Sequence, residues 1–199
     1  MYTAQLIGTE ELREMVATWS GPSLTAAMVD LVAFAELNEH FGRKAGDRVI
    51  AAVQRALEGS LPAGASVARV GGDEWACVLP GTTAEDALIL FEEVRQHLSG
   101  RPNPGHPDAA PLDMTVGIAN LPEHVGDPAR LLAAADEALH RAKRGGGRSA
   151  IYVEDKMVLK SNYYPKAQLA RLAKVSDRLG RTEASLLREA LEDVLDRYR

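Results

Sequence analysis

One cysteine in 199 residues, Cys77, leaves no partner for an internal disulfide, and it lies in an apolar run. A disulfide framework is excluded, and the expected compartment is a reducing one, the cytoplasm. Aromatic residues are scarce at 5%, so a core has to be built from Ala, Leu and Val. No stretch approaches the ~20 apolar residues of a membrane span, and no membrane partner is expected. Residues Met1 to Leu6 lack the basic-then-apolar pattern of a secretory signal. Repeats and low-complexity tracts are also missing. What is present, 46% hydrophobic and 26% charged residues, is an ordinary globular composition.

The net charge of −5 hides an asymmetry: residues 1–155 sum to −9 and residues 156–199 to +4. A change of sign between segments points to two modules with different partners.

The first module alternates helical and extended patterns. Leu12, Met15, Val16 and Trp19 share one face of a helix over Glu10 to Trp19. Leu24 to Leu31 reads as a buried strand, apolar except for Asp30. A second helix runs from Gly46 to Leu57. Val67 to Val70 and Trp75 to Leu79 read as a hairpin around Gly71-Gly72-Asp73-Glu74, whose two glycines allow positive φ and whose carboxylates are expected to point out at the tip. Thr83, with Asp86 three residues on, opens a helix reaching Leu98. After a proline-rich loop over Gly100 to Pro111 come a strand (Met114 to Ala119), a helix (Pro128 to Lys143) and a last strand (Ala150 to Val153). The expected fold class is α/β, a mixed sheet flanked by helices over residues 1–153.

Asp30 interrupts an apolar strand near its C-terminal end, where open α/β sheets place their sites. A carboxylate there needs a partner, and a metal ion is one of few adequate ones. The Gly-Gly-Asp-Glu tip, taken alone, is an ordinary turn. Together the two segments supply carboxylates from adjacent strand ends, a set that binds Mg²⁺ when substrate phosphates complete the shell. Cys77 reads as a small core residue, and the five histidines show no metal-ligand spacing.

Here a resemblance becomes specific. Asp30 to Asn38 (DLVAFAELN), Phe41-Gly42 and Gly46-Asp47 resemble the opening of a GGDEF domain, the family of diguanylate cyclases, which join two GTP into cyclic di-GMP. Gly71-Gly72-Asp73-Glu74-Trp75 is similar to its namesake motif, with Trp75 in place of Phe and Arg69 upstream at the usual spacing. Thr115 to Ala119 resembles the family's central strand, and Ala135 to Lys143 its ADxALYxAK helix. The match covers residues 24–152 in order.

The resemblance implies Asp30 and Asp73 as ligands of Mg²⁺ (or Mn²⁺), assisted by the Leu31 carbonyl. It gives Asp73 and Glu74 catalytic roles, Glu74 as a further metal-side carboxylate or as the group that deprotonates the attacking 3′-hydroxyl. Asn38 and Asp47 are implied to read the guanine edge, Phe34 to lie in the nucleotide site, and Lys143 and Arg148 to meet the phosphates. Read without the family, Asn38 and Asp47 are a helix-end cap and a solvated charge, and Lys143 complements a helix dipole.

Departures are visible too. Ala35 stands where the family carries a phosphate-contacting Lys, and Ala33 replaces a polar or aromatic residue. Arg148 comes one glycine late. Pro62 to Ala65 occupies the place of the inhibitory RxxD, so product inhibition through that motif is not expected. The N-terminal DxLTGLxNR wing is reduced to Leu6 to Thr9.

After a joint at 154–156, residues 157–199 read as strand, helix and helix. Pro165 stops the strand (Met157 to Tyr164), Gly180 separates the helices (Lys166 to Leu179, then Glu183 to about Tyr198), and Thr182 caps the last. So short a segment buries too little to stand alone, and two copies pairing their strands in a homodimer is the economical solution. Gly180 to Leu191 resembles the GRSxSELIREAL of ribbon-helix-helix proteins, whose paired strands enter the major groove of double-stranded DNA. That resemblance implies Lys160, Asn162 and Tyr164 as the DNA face, with Arg181 and Thr182 at the phosphates. A one-residue slip exchanges this face with Leu159, Ser161 and Tyr163. A dimerisation device without DNA contact is the plainer reading.

The expectation favoured by these two modules is a DNA-binding transcriptional regulator whose GGDEF-like domain binds GTP or cyclic di-GMP. The alternative is an active diguanylate cyclase whose tail dimerises it or tethers it to DNA.

Overall fold

The structure is a computed structural model, and it describes residues 4–152, 164–179 and 182–198. The chain divides into two units, residues 1–155 and 156–199.

In the first unit, strands β1 (Gln5–Leu6), β2 (Leu24–Leu31), β3 (Ser66–Arg69), β4 (Glu74–Pro80), β5 (Met114–Leu121) and β6 (Ser149–Ile151) form one sheet in the order β1-β3-β4-β2-β5-β6. The central strand β2 runs antiparallel to β4 on one side and β5 on the other. The outer pairs β1–β3 and β5–β6 are parallel, so the sheet is mixed as the alternation predicts.

Both faces are covered, which is why β2 and β5 read as near-continuous apolar runs. On one face, helices α3 (Arg43–Ser60) and α4 (Ala84–Ser99) pack Val49, Val53, Leu57, Phe91 and Val94 against Ala27, Val29, Trp75, Cys77 and Ile118. On the other, α1 (Thr9–Ala17) and α5 (Leu131–Arg144) pack Leu12, Val16, Ala134, Ala135 and Ala138 against Leu24, Ala26, Ala76, Val78 and Ala119. Helix α4 begins as its sequence requires: the Asp86 backbone N–H donates to Thr83 Oγ1 at 3.1 Å, and that hydroxyl donates to the Asp86 carboxylate at 2.8 Å. Cys77 is fully buried and burial pushes its thiol up, so it stays protonated, an inert core group. Trp75 is also fully buried, and its indole N–H has no partner among the described residues.

The alanines of α5 let it approach the sheet closely. A Cβ on Gly117 in β5 would stand 2.0 Å from the Leu139 backbone nitrogen and 2.3 Å from the Ala135 carbonyl oxygen. Small residues on both surfaces thus bring the C-terminal turn of α5, with Lys143, down to the end of β2.

Two elements escape the sequence pattern. Helix α2 (Phe34–Phe41) is short and buries no residue fully, although Phe34 and Leu37 on one of its faces pack at the edge of the core. Strand β1 is two residues long. The remaining elements stand within a few residues of expectation, with Pro128–Arg130 a 3₁₀ turn leading into α5. In the second unit, α6 (Lys166–Leu179) and α7 (Glu183–Arg197) match the expected helices, and α7 opens with the Leu186 N–H donating to the Thr182 carbonyl at 3.2 Å. The strand expected over 157–164 falls outside the described residues except for Tyr164, and Lys160, Asn162 and Arg181 lie outside them as well. Among the described residues no helix is long and apolar enough to cross a membrane.

Candidate active site

Directly paired residues on neighbouring antiparallel strands project their side chains to the same face. Asp30 is paired with Glu74 in this way, so both carboxylates leave the sheet on the side covered by α5. The ladder runs on past the strand end: the Leu31 N–H donates to the Asp73 carbonyl at 3.2 Å, and the Val32 N–H to the Asp113 carbonyl at 2.9 Å. The hairpin tip is therefore stitched to the residue whose carbonyl the family pattern assigns to the metal.

The tip does not use the positive φ that its two glycines allow. Neither Gly71 nor Gly72 has positive φ. Instead the Val70 and Gly71 N–H groups both donate to the Glu74 carbonyl, at 3.0 and 3.3 Å. Arg69 folds over its own turn, its Nε donating to the Gly71 and Gly72 carbonyls at 3.1 and 3.2 Å. A Cβ at 71 would lie 2.9 Å from Glu74 Oε2, so a side chain there would displace the Glu74 carboxylate. At 72 a Cβ would meet nothing within 4 Å.

Lys143 reaches the same point from α5, with Nζ 2.7 Å from Asp30 Oδ2. Partial burial, then the charge of Asp30, raises the pKa of Asp73. Burial, then the charge of Asp30 and a hydrogen bond with it, raises that of Glu74. Three carboxylates thus repel one another around one ammonium, and an added cation relieves that repulsion. Among the described residues no group of three His, Cys, Asp or Glu could hold a metal ion by itself. The donors at hand, the Asp30 and Asp73 carboxylates and the Leu31 carbonyl, are all oxygen. They fit a hard ion such as Mg²⁺, which keeps several waters and takes substrate phosphate oxygens.

A second group lies between α2 and α3. The chain leaves β2 through Ala33, in the left-handed region at φ +57°, and passes from α2 to α3 through Gly42 at φ +80°. Asn38 is half-buried and Asp47 exposed, and neither side chain has a hydrogen-bond partner in the protein among the described residues. Phe34 packs at the core margin beside them. Ala35 is exposed and offers no charge.

Arg148 is engaged elsewhere. Its Nε stands 2.8 Å from Asp113 Oδ2, and Arg95 NH1 approaches Asp113 Oδ1 at 3.4 Å. A groove of about 450 Å³ opens beside this pair, between α2 and the proline-rich loop. Sequence reasoning did not single out Asp113 or the direct Lys143–Asp30 pair, because partners distant in sequence leave no periodic or motif signal.

The model of the family "Diguanylate cyclase, GGDEF domain" matches residues 8–149. This chain belongs to that family. The response regulator PleD of Caulobacter vibrioides is 32% identical over 160 residues, 75% of this chain and 35% of PleD. Diguanylate cyclase TpbB of Pseudomonas aeruginosa is 33% identical over 139 residues, 68% of this chain and 32% of TpbB. The chain thus spans about a third of the length of these relatives. Among solved structures, a truncated TpbB comprising only the GGDEF domain superposes with TM-score 0.66 at 28% identity, over 75% of this chain and 91% of that one. The active GGEEF domain of a diguanylate cyclase from Vibrio cholerae gives 0.62 at 28% identity, over 67% and 85%. These comparisons favour the cyclase reading over that of a DNA-binding regulator. The family match ends before the second unit.

Proposed function

We propose that this GGDEF domain is a diguanylate cyclase, condensing two GTP into cyclic di-GMP with release of two pyrophosphates. The observation that carries the reading is the convergence of Asp30, Asp73, Glu74 and Lys143 at the C-terminal end of β2. Guanine is bound by Asn38 and Asp47, the Asp47 carboxylate accepting from the ring N–H and amino group. A bound Mg²⁺ supplies Lewis-acid polarisation of the α-phosphate and neutralises charge on the attacking and leaving oxygens. Lys143 exchanges Asp30 for the β- and γ-phosphates as the nucleotide enters. Glu74, whose raised pKa makes it a better proton acceptor, takes the proton of the 3′-hydroxyl as that oxygen attacks the α-phosphorus of the second GTP. The bond from the α-phosphorus to the bridging oxygen breaks and pyrophosphate departs. A second such step closes the ring.

Cyclisation needs two loaded domains face to face, and an assembly of two copies raises their effective concentration. The second unit suits that purpose: α6 and α7 leave Leu169, Leu187, Leu191 and Val194 exposed, as is Tyr198 just after α7.

Glu74→Gln tests the proton transfer. Metal-dependent GTP affinity is expected to stay within about threefold of wild type, while turnover falls by about 10² or more. Equal loss of binding and turnover would make Glu74 a ligand of the metal and not the base.

A further inference from the structure

Asn38 has a precise place and nothing bonded to it that sets that place. Its carboxamide is half-buried at the α2–α3 crossing without a hydrogen-bond partner among the described protein groups. What confines it is shape. Gly46 is buried in the first turns of α3, and a Cβ built there would lie 2.1 Å from Asn38 Oδ1, 3.0 Å from Asn38 Cγ and 3.1 Å from Phe34 Cζ. The Asn38 carboxamide therefore rests in the notch that the missing side chain leaves. Asp47, the other proposed guanine reader, is the next residue on α3.

We infer that Gly46 is a specificity-determining residue: its bare Cα is the seat that aims the Asn38 carboxamide at the base. The inference rests on the guanine reading proposed above. Any side chain at 46 pushes Oδ1 away by more than an ångström to reach ordinary contact. Hydrogen bonds tolerate a spread of about half an ångström in length, so such a displacement breaks the contact. Because the obstructing atom is the end of a flexible side chain, the fold absorbs Gly46→Ala by rotating Asn38, and recognition carries the loss. Phe34 gives way by a few tenths of an ångström at the same time. Gly46 needs no positive φ, so the requirement for glycine here is one of space.

Calorimetric titration of the full chain in Mg²⁺, with α,β-methylene-GTP and α,β-methylene-ATP as probes that cannot lose pyrophosphate, tests this. Four proteins are compared: wild type, Asn38→Ala, Gly46→Ala and the double variant. Gly46→Ala is expected to weaken the guanine probe about 10-fold and the adenine probe less than twofold. In the Asn38→Ala background, where only Phe34 has to shift by a few tenths of an ångström for the new methyl, the same substitution is expected to cost less than twofold. Equal weakening of both probes, or losses that simply multiply in the double variant, would overturn the inference. So would wild-type affinity in Gly46→Ala while Asn38→Ala is weakened. Wild-type affinity in Asn38→Ala refutes instead the guanine reading on which the inference stands. Should Gly46→Ala fail to fold, the double variant decides: affinity equal to that of Asn38→Ala supports the seat, and a further several-fold loss contradicts it.

Discussion

Replacing Lys143 by Met keeps most of the aliphatic stem and removes the charge that neutralises Asp30. The pair is close at 2.7 Å, but the lysine side chain is 35% exposed and the aspartate 16%, so water screens much of the attraction. Fully exposed pairs contribute below about 1 kcal/mol, and breaking fully buried ones costs about 3–5 kcal/mol. This half-covered pair belongs near the lower end, at about 1–2 kcal/mol. For a domain of this size that loss lowers the melting temperature by about 3–6 °C. The sign of the metal response is more telling. In wild type, Mg²⁺ competes with the ammonium for Asp30, so metal without nucleotide adds little stability. In Lys143→Met the three carboxylates lack their resident cation, and millimolar Mg²⁺ has a larger stabilising effect. Differential scanning fluorimetry with and without Mg²⁺ reads both quantities. A variant melting within 1 °C of wild type, with an unchanged Mg²⁺ response, would refute the role assigned to this pair.

The proposed phosphate grip is thin at Ala35, an exposed position in the first turn of α2, so Ala35→Lys is expected to strengthen binding of α,β-methylene-GTP by about 3–10-fold, read by calorimetry. Gly117→Ala drives a methyl into the backbone of α5, which has no flexible end to move, and is expected to yield insoluble or unfolded protein on expression. The Arg95 guanidinium beside Glu92 lowers its carboxyl to about 2. A carboxylate held below its unfolded pKa stabilises the fold above that value and loses the contribution as pH falls through about 2. Glu92 is about one-third exposed, so Glu92→Gln should cost less than about 1 kcal/mol at pH 7, with the gap to wild type closing in acid unfolding below pH 4.

The strands were legible because both sheet faces are covered: β2 and β5 stand out as apolar runs that no surface segment imitates. Asp30 was conspicuous for the same reason, as the one charge in such a run. Helix α2 carries only a short signal, Phe34, Leu37 and Phe41 at helical spacing within eight residues, since it lies at the margin and buries nothing fully. The glycines at the hairpin tip allow positive φ, yet the tip is held by Arg69 and by two N–H groups on one carbonyl, which need no such backbone. Arg148 illustrates another limit. Gly146 adopts φ +67° in the lengthened turn, the Arg148 carbonyl accepts from the Val116 N–H, and the guanidinium then falls beside Asp113, a residue no motif marks. In Gly46 the motif was visible and its reason was not, because the obstruction lies on another helix.

The fold positions Asp30 and Glu74 by strand register, Asp73 by a hairpin tip tied to Leu31, and the ammonium by helix approach. Of the DNA-facing residues expected in the tail, Lys160, Asn162 and Arg181 lie outside the described residues, and the cyclase reading stands without them.

The central claim is most directly tested by incubating the purified full chain with GTP and Mg²⁺ and identifying the products by chromatography with mass detection. The account predicts cyclic di-GMP and two equivalents of pyrophosphate, and neither product from folded Asp73→Asn. GTP recovered unchanged from folded wild-type protein that binds it, or identical product from Asp73→Asn, would contradict it.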